Sequence, residues 1–512
     1  MNAPLLQTHT PLLLAERIPL EGTGAVDVHR QRAVVAALKT FLPEHCLLWR
    51  EEDTRPYECD GLTMYRQLPM IVALPESEEQ VARIARVCFE MQVPIVPRGA
   101  GTGLSGGAMP HGRGVLLSLA KFNRILKVDP LACTAVVQPG VRNLAISEAV
   151  SHLGLYYAPD PSSQIACTIG GNIAENSGGV HCLKYGLTLH NVMRVRGVTV
   201  EGAVIEIGSE AFDSPGLDLL SLVIGSEGML LITTEATVKL LPKPIRQQVV
   251  MASFDDVGKG GDAVAAVIAA GIVPAGMEMM DRPAVAAVEP FVNAGYDLNA
   301  ESILLVESDG TLEEVDEEIA RIEAVLRANG ATRLEVSQSD AERNRFWAGR
   351  KAAFPAVGRV SPDYYCMDGT IPRKRLGEVL KAIVAMEAKY RLRCANVFHA
   401  GDGNLHPLIM FDCNDPDSVM RAEQFGFEIL ELSIAVGGTV TGEHGVGVEK
   451  IHQMCQQFDS PTLESFFAVK RAFDPPGLLN PGKAIPTLTR CAEYGKMHVH
   501  GGRLNFPDLP RF

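Results

Sequence analysis

The stretch RGAGTGLSGG, from Arg98 to Gly107, decides the fold, because it holds five glycines in ten residues. Backbone N–H groups that lack neighbouring Cβ atoms can approach an anionic ligand closely, as in phosphate-binding loops. A strand-like run, GVLLSLAKF, follows the glycines. A Rossmann glycine motif would open a helix instead, and a Walker loop would end in Gly-Lys-Ser/Thr. The sequence therefore predicts a loop that binds a phosphate-bearing ligand. The fold around this loop is expected to be neither a Rossmann fold nor a Walker-type nucleotide-binding fold.

The residues upstream of this loop predict a strand–helix–strand unit. PMIVALP reads as a strand, Ser77 and Gln80 mark the start of a helix, and VPIVP reads as the next strand. Two later stretches, residues 167–186 and 225–240, combine glycines with Asn, Ser or Thr. The glycines let the backbone approach a planar ring closely, and the Asn, Ser and Thr side chains can donate hydrogen bonds to a polar chain attached to that ring. Together with the glycine-rich loop, they indicate a large dinucleotide.

The length of 512 residues predicts two or three domains. After LLPKPIRQ the alternating elements become longer, which places a boundary near residue 243. The second part reads as a sheet covered by helices, so the fold class is α+β. The predicted divisions are a helical lead-in over 1–63, a dinucleotide-binding domain over 64–243, an α/β domain over 244–474, and a segment over 475–512 that returns to the first domain.

Composition excludes several functional classes. A formal charge of -14 and a pI of about 5.5 argue against nucleic acid as a partner. No apolar run reaches the roughly 18 to 20 residues of a bilayer crossing, and the N-terminus lacks the pattern of a signal peptide, so we expect a cytoplasmic protein. The eleven cysteines include no C-x-x-C pair, which indicates reduced thiols without iron–sulfur clusters or thiolate-held zinc.

The three glycine-containing stretches together resemble the FAD-binding domain of the vanillyl-alcohol-oxidase and p-cresol methylhydroxylase superfamily. FWAGRKAAFPAVGRVSPDYYCMDGTIP and RCAEYGKMHVHGG are most similar to the flavoprotein subunits of bacterial glycolate oxidases. The resemblance implies a two-part FAD-binding domain and an α/β substrate (cap) domain with a mixed or antiparallel sheet. It also implies non-covalent FAD, although His181 stands where a covalent attachment would be sought.

The resemblance assigns the FAD contacts to three groups of residues. The pyrophosphate is expected against Arg98, Gly99, Ala100, Gly101, Thr102, Gly103, Ser105 and Gly106. The flavin ring is expected to border Pro159, Asp160, Ser162, Thr168, Gly170, Gly171, Asn172, Asn176, Gly178 and Gly179. The adenosine and ribityl contacts are expected from Tyr185, Gly186, Glu227, Gly228 and Ile232.

Four ionisable residues lie in two glycine-rich segments late in the chain. NVFHAGDGNLHPLIMF contains His399 and His406, and GGTVTGEHGVGVEK contains Glu443 and His444. The Gly-Asp-Gly-Asn turn can fold both imidazoles toward one point, and two imidazoles with one carboxylate suit a divalent ion. Spacing alone still favours hydrogen-bonding histidines by roughly 2:1. The resemblance to metal-dependent D-2-hydroxy-acid dehydrogenases reverses this preference: it implies that His399, His406 and Glu443 bind zinc or manganese and that His444 is the general base.

The resemblance also implies that Arg350 anchors the substrate carboxylate, since an arginine fork suits a carboxylate better than the adjacent Lys351. Where relatives that act on a longer diacid carry polar groups, this chain has Phe354, Cys366 and Leu408. A small monocarboxylate such as glycolate or D-lactate therefore fits better than a diacid.

We therefore expect an FAD-dependent 2-hydroxy-acid dehydrogenase that oxidises glycolate to glyoxylate. The resemblance implies that its electrons leave through a second flavin-domain subunit and an iron–sulfur subunit, in a complex at the inner face of the cell membrane. Three alternatives stay open: a stand-alone D-lactate or other D-2-hydroxy-acid dehydrogenase, a non-catalytic flavin subunit of an electron-transfer complex, and a transferase that acts on a phosphorylated lipid.

Overall fold

The computed structural model describes residues 24–211 and 216–486. Its first sheet has four short strands, in the order β1-β2-β4-β3, with β4 parallel to both β2 and β3. These elements are α1 (Val28–Leu38), β1 (Leu47–Leu48), α2 (Glu51–Thr54), β2 (Ile71–Ala73), α3 (Glu78–Glu90), β3 (Ile95–Arg98) and β4 (Val115–Ser118). The predicted strand–helix–strand unit is β2-α3-β3, and β4 is inserted between its two strands.

Helix α3 shows why the sequence folds this way. The Ser77 hydroxyl accepts the Gln80 N–H and begins the helix. Four apolar residues at helical spacing then face the core: Val81, Ile84, Ala85 and Cys88. The chain leaves β3 directly into the glycine-rich loop, so this loop starts from a buried strand.

The second sheet is antiparallel and has the order β5-β6-β10-β8-β9, while β7 and β11 form a separate pair. The elements are β5 (Ile125–Asp129), β6 (Thr134–Val137), α4 (Asn143–Val150), β7 (Leu155–Tyr156), α5 (Ile169–Glu175), α6 (Cys182–Tyr185), α7 (Thr188–Asn191), β8 (Val192–Val198), β9 (Val204–Gly208), α8 (Leu219–Val223), β10 (Ile232–Lys239) and β11 (Leu241–Pro242). Helices α5 and α6 both lie within the second of the three stretches that the sequence singled out.

The cap is built on a seven-stranded antiparallel sheet, in the order β15-β12-β14-β13-β17-β18-β16. Its strands are β12 (Arg246–Phe254), β13 (Gly276–Asp281), β14 (Ser302–Gly310), β15 (Arg333–Val336), β16 (Asp363–Cys366), β17 (Cys394–His399) and β18 (Pro407–Phe411). Its helices are α9 (Val257–Ala269), α10 (Arg282–Val292), α11 (Leu312–Ala328), α12 (Asp340–Lys351), α13 (Ala353–Val357), α14 (Leu376–Tyr390), α15 (Pro416–Ala435), α16 (Ile451–Gln457) and α17 (Ser460–Phe473). The α+β fold class is confirmed.

Helix α9 begins at Val257 and packs against α14. Its first turns contain three buried glycines, which are poor helix formers. A Cβ on Gly261 would come within 2.6 Å of the Gly377 nitrogen at the start of α14. Gly258 also faces α14, at Lys381, whereas Gly260 faces Ser302 and Met279 of the sheet, so close packing against both α14 and the sheet explains the three glycines.

The end of the described chain contacts the first domain. Leu479 bridges to Ile95 in β3, and the Asn480 amide donates to the carbonyls of Gly107 and Glu227. The rest of the predicted returning segment, including RCAEYGKMHVHGG, lies outside the described residues, as do the first 23 residues of the lead-in. Among the described helices, none is long and apolar enough to span a bilayer.

Candidate active site

A cavity of about 380 Å³ lies where the first domain meets the cap. The loop residues 98–104 line it on one side, and Pro161 to Ser163 and residues from 167 to 177 contribute a second wall. The cap closes one end with Lys351, Phe354, Pro355, His406, Glu443 and His444. The volume is within the usual range of cofactor and ligand sites.

Many of the residues that the sequence assigned to FAD line this cavity: Arg98, Gly99, Ala100, Gly101, Thr102, Gly103, Ser162, Thr168, Gly170, Gly171, Asn172, Glu227 and Gly228. The lining fits a phosphate-bearing ligand. Three of the loop residues 98–104 are glycines, and a Cβ on one of them, Gly99, would come within 2.4 Å of Thr168 Oγ1. That hydroxyl is buried and has no hydrogen-bond partner among the described residues, as expected of a group that awaits a ligand.

The remaining assigned residues stand behind the cavity wall and contact other parts of the protein. The Ser105 carbonyl accepts the N–H groups of Val448 and Glu449, and a Cβ on Gly106 would approach Val448 to 2.5 Å. Both residues thus hold the segment that follows His444. Ile232 is buried in β10, and Pro159 accepts the Asn143 amide.

The assigned residues between 160 and 186 support the walls and the domain interface. Asn176 ends α5 in a left-handed conformation, and Gly179 packs against Asp160. The Tyr185 hydroxyl donates to Asp309 of the cap, and Gly186 packs on His190. A Cβ on Gly178 would come within 2.7 Å of Glu443 Oε2, so this glycine leaves room for the Glu443 carboxylate.

His181 links the two domains through both ring nitrogens. Its Nδ1 lies 2.7 Å from Asp160 Oδ2, and its Nε2 lies 3.2 Å from Glu307 Oε1 in β14. Glu307 also accepts from Arg343 and from the Trp347 indole. The ring therefore serves as a contact between the first domain and the cap.

The structure brings together His399, His406 and Glu443, which the sequence placed in two separate segments. Glu443 Oε1 lies 3.2 Å from His399 Nε2 and 2.9 Å from His406 Nε2. One donor atom from each residue falls within 4.8 Å of the other two. Two imidazole nitrogens and a carboxylate oxygen in this arrangement fit a zinc-like or manganese-like ion.

The turn between β17 and β18 sets the two imidazoles. His399 ends β17, and its N–H donates to the Asn404 carbonyl at 3.1 Å. Gly403 has φ +83°, and a Cβ there would approach the Ile371 carbonyl to 2.2 Å. Only glycine fits this position, so the turn closes tightly enough for His399 and His406 to converge.

Glu278 orients His399 and was missed by the sequence analysis. It lies opposite His399 in the β13–β17 register, and its Oε1 is 2.6 Å from His399 Nδ1. Burial lowers the pKa of His399, but the carboxylates of Glu278 and Glu443 outweigh burial and raise that pKa well above its ordinary value. A lone acidic residue in the apolar strand MEMM was the signal available in the sequence.

Arg350 lies away from the cavity wall. Its side chain is 2% exposed, and its Nε lies 2.5 Å from Glu278 Oε2. Its Nη2 is buried and has no hydrogen-bond partner among the described residues. The neighbouring Lys351 lines the cavity instead. The sequence identified Arg350 and Lys351 as candidate cations, but it did not show which of the two side chains faces the cavity.

Two carboxylates hold the segment that carries Glu443 and His444. Asp368, which is fully buried, accepts the N–H groups of Gly442, Glu443 and His444 at 3.0 to 3.4 Å. From the first domain, Glu227 accepts the N–H groups that follow, those of Val446 and Gly447, at 2.7 and 2.8 Å. The sequence assigned Glu227 to FAD and overlooked Asp368.

His444 lies against His406 at the end of the cavity. The two rings are parallel, with centroids 4.9 Å apart. Burial lowers the pKa of His444 to about 4, against the opposing effect of Asp368, so the ring is neutral near pH 7. A neutral imidazole at the cavity wall can accept a proton.

Comparisons with known proteins agree with this architecture. A model described as FAD binding domain matches residues 69–208, and one described as FAD linked oxidases, C-terminal domain, matches residues 243–484. The chain is 58% identical to glycolate oxidase subunit GlcD of Escherichia coli over 489 residues, which cover 96% of this chain and 98% of that protein. This chain belongs to the FAD-linked oxidases.

More distant proteins are also similar to this chain. The chain is 31% identical to a D-lactate dehydrogenase of Anaerostipes hadrus over 466 residues, 88% of this chain and 96% of that protein. The structure of p-cresol methylhydroxylase with substrate bound superposes with a TM-score of 0.78 at 19% identity, covering 91% of this chain and 98% of that one. The predicted superfamily and the use of FAD are confirmed, and the chain is an FAD-dependent oxidoreductase.

Proposed function

We propose that this FAD-linked oxidase is a 2-hydroxy-acid dehydrogenase that oxidises glycolate to glyoxylate. The observation that carries the proposal is the cluster of His399, His406 and Glu443 beside the neutral ring of His444, at the end of the cavity that fits FAD. The names of the relatives, glycolate oxidase subunit and D-lactate dehydrogenase, support the same substrate class.

The reaction removes a proton from the hydroxyl group and a hydride from the adjacent carbon. FAD supplies the hydride acceptor when it is bound. A divalent ion held by His399, His406 and Glu443 would lower the pKa of the substrate hydroxyl. His444 takes the hydroxyl proton, since it lines the cavity and is neutral near pH 7. General-base catalysis of this kind typically contributes about 10² to 10⁴-fold.

The substrate carboxylate needs a cation, and two residues offer one. Arg350 has a buried Nη2 without a hydrogen-bond partner among the described residues, and its Nε pairs with Glu278, the residue that contacts His399. Lys351 lines the cavity. We assign the carboxylate to Arg350, because a buried guanidinium donor without a partner is costly and is satisfied by a carboxylate.

The walls near the cluster favour a small substrate. Phe354 and Pro355 line this end of the cavity, and Cys366 and Leu408 are buried beside it. None of these four side chains offers a cation to a second carboxylate. Glycolate and D-lactate therefore fit better than a diacid, and D-lactate oxidation to pyruvate is the second candidate function.

The electrons leave through other chains in this proposal. The cysteine pattern of the sequence offers no C-x-x-C pair for an iron–sulfur cluster. The Escherichia coli relative is named as a subunit of glycolate oxidase. We accordingly propose a second flavin-domain subunit and an iron–sulfur subunit as partners, with the complex on the cytoplasmic face of the cell membrane.

Anaerobic reduction of the bound flavin tests the substrate assignment. The purified holoenzyme is mixed with glycolate, D-lactate, L-lactate or D-2-hydroxyglutarate, and the flavin absorbance is followed. Rapid bleaching by glycolate or D-lactate, with slow or no bleaching by the diacid, is expected. Bleaching by none of these acids would reject the proposal and favour a non-catalytic flavin subunit.

A further inference from the structure

A second group of metal-ligating side chains lies beside the proposed metal cluster. Cys366, His406 and His444 each place one donor atom within 4.8 Å of the other two. Cys366 ends β16 and pairs with Leu408 of β18, two residues after His406. This register holds the thiol alongside the start of β18. Cys366 is a free cysteine and is 5% exposed.

Both imidazoles of this group have a nitrogen that awaits a partner. His406 uses Nε2 for Glu443, while its Nδ1 is buried and has no hydrogen-bond partner among the described residues. The Nδ1 of His444 is also buried and has no hydrogen-bond partner among the described residues. Buried polar atoms without partners are uncommon and costly, so they indicate a ligand. The side chain of His406 is only 3% exposed, which places its nitrogen away from bulk water.

We propose that Cys366, His406 and His444 form a second cation site, selective for thiophilic divalent ions such as cadmium or zinc. Thiolate and imidazole are the donors that such ions prefer, whereas manganese prefers oxygen-rich sites. Bonds of about 2.0 to 2.3 Å place tetrahedral zinc ligands about 3.3 to 3.8 Å apart. Binding therefore requires rotations of Cys366 and His444, which shorten the separations of up to 4.8 Å and turn the ring of His444 out of its parallel arrangement with His406. The thiol proton is released to solvent when the ion binds.

The two sites compete because they share His406. A neutral imidazole offers a lone pair at one nitrogen only, so His406 serves one ion at a time. An ion at Cys366 withdraws His406 from His399 and Glu443, and it also occupies His444. Thiophilic cations therefore inhibit the enzyme. This consequence rests on the proposed function, whereas the binding site itself does not.

Cadmium titration of the FAD-loaded protein tests the site. Thiolate-to-cadmium charge transfer is read as difference absorption in wild type, in Cys366→Ser and Cys366→Ala, and in Cys394→Ser. Cys394 is a matched control, because it is another free, buried cysteine of the same sheet. Both Cys366 variants should lose the absorption of one thiolate per chain, and the control should retain it. Equal absorption in all four proteins would overturn the proposal.

Inhibition gives the second measurement. The cadmium concentration that halves the rate of glycolate-driven flavin reduction should rise at least tenfold in Cys366→Ser relative to wild type and to Cys394→Ser. An unchanged value, with the absorption difference present, would refute the shared use of His406. If no variant and no wild-type protein reduced its flavin, the proposed function would fail, and the absorption measurement would still decide the cation site.

Discussion

Replacing Glu278 with Gln tests how the protein supports its proposed metal cluster. The buried carboxylate contacts His399 Nδ1 at 2.6 Å and Arg350 Nε at 2.5 Å. Gln keeps the shape but removes the charge that makes His399 a stronger ligand. Loss of such an outer partner typically weakens metal binding about 10 to 100-fold, which corresponds to about 1.4 to 2.7 kcal/mol.

The same substitution should also destabilise the cap. Arg350 would become a buried cation without its counter-ion, and breaking a buried ion pair costs about 3 to 5 kcal/mol. Chelator competition measures the affinity for zinc or manganese, and urea unfolding of the FAD-loaded protein measures stability. Glu323→Gln is the matched control, because it removes an equal charge from a partly exposed pair with Arg327 on α11. If Glu278→Gln matched this control in both metal affinity and stability, the reasoning would be refuted.

Three further predictions concern single side chains. His444→Ala should retain FAD and metal, but its flavin should be reduced at least 100-fold more slowly because the proton acceptor is lost. Single-turnover kinetics measures this rate. An unchanged rate would remove His444 from the mechanism. Arg350→Lys should raise the glycolate concentration needed for half-maximal flavin reduction more than Lys351→Gln does. The reverse order in the same titration would show that Lys351, and not Arg350, binds the substrate carboxylate. The pKa of Glu307 is about 2, since His181 and Arg343 outweigh the opposing effect of burial. Its folded-state pKa is depressed from 4.5, so its contribution to stability should be present above pH 4.5 and lost as the pH falls toward 2. Glu307→Gln should flatten this part of the pH–stability profile, whereas an unchanged slope would show that Glu307 does not control it.

The sequence predicted the features that are written in short, local patterns. The glycine-rich loop and the strand–helix–strand unit before it depend on neighbouring residues, as does the turn that joins His399 to His406. The resemblance supplied the remaining step, which was to place Glu443 beside both imidazoles. These parts of the fold and of the candidate site were therefore accessible before any coordinates.

The features that were missed depend on partners far apart in the chain. Glu278 reaches His399 across 121 positions, and Asp368 reaches His444 across 76. In the sequence each is an isolated acidic residue, and only strand register or loop packing reveals its partner. The direction of a side chain was equally inaccessible, as the different positions of Arg350 and Lys351 show.

Removal and return of the metal tests the central claim most directly. The FAD-loaded enzyme is treated with a chelator, its metal and flavin contents are measured, and glycolate-driven flavin reduction is followed anaerobically before and after zinc or manganese is restored. The depleted enzyme is expected to keep its FAD, to lose flavin reduction, and to recover it with one ion per chain. Full-rate reduction by an enzyme shown to be free of metal would contradict it.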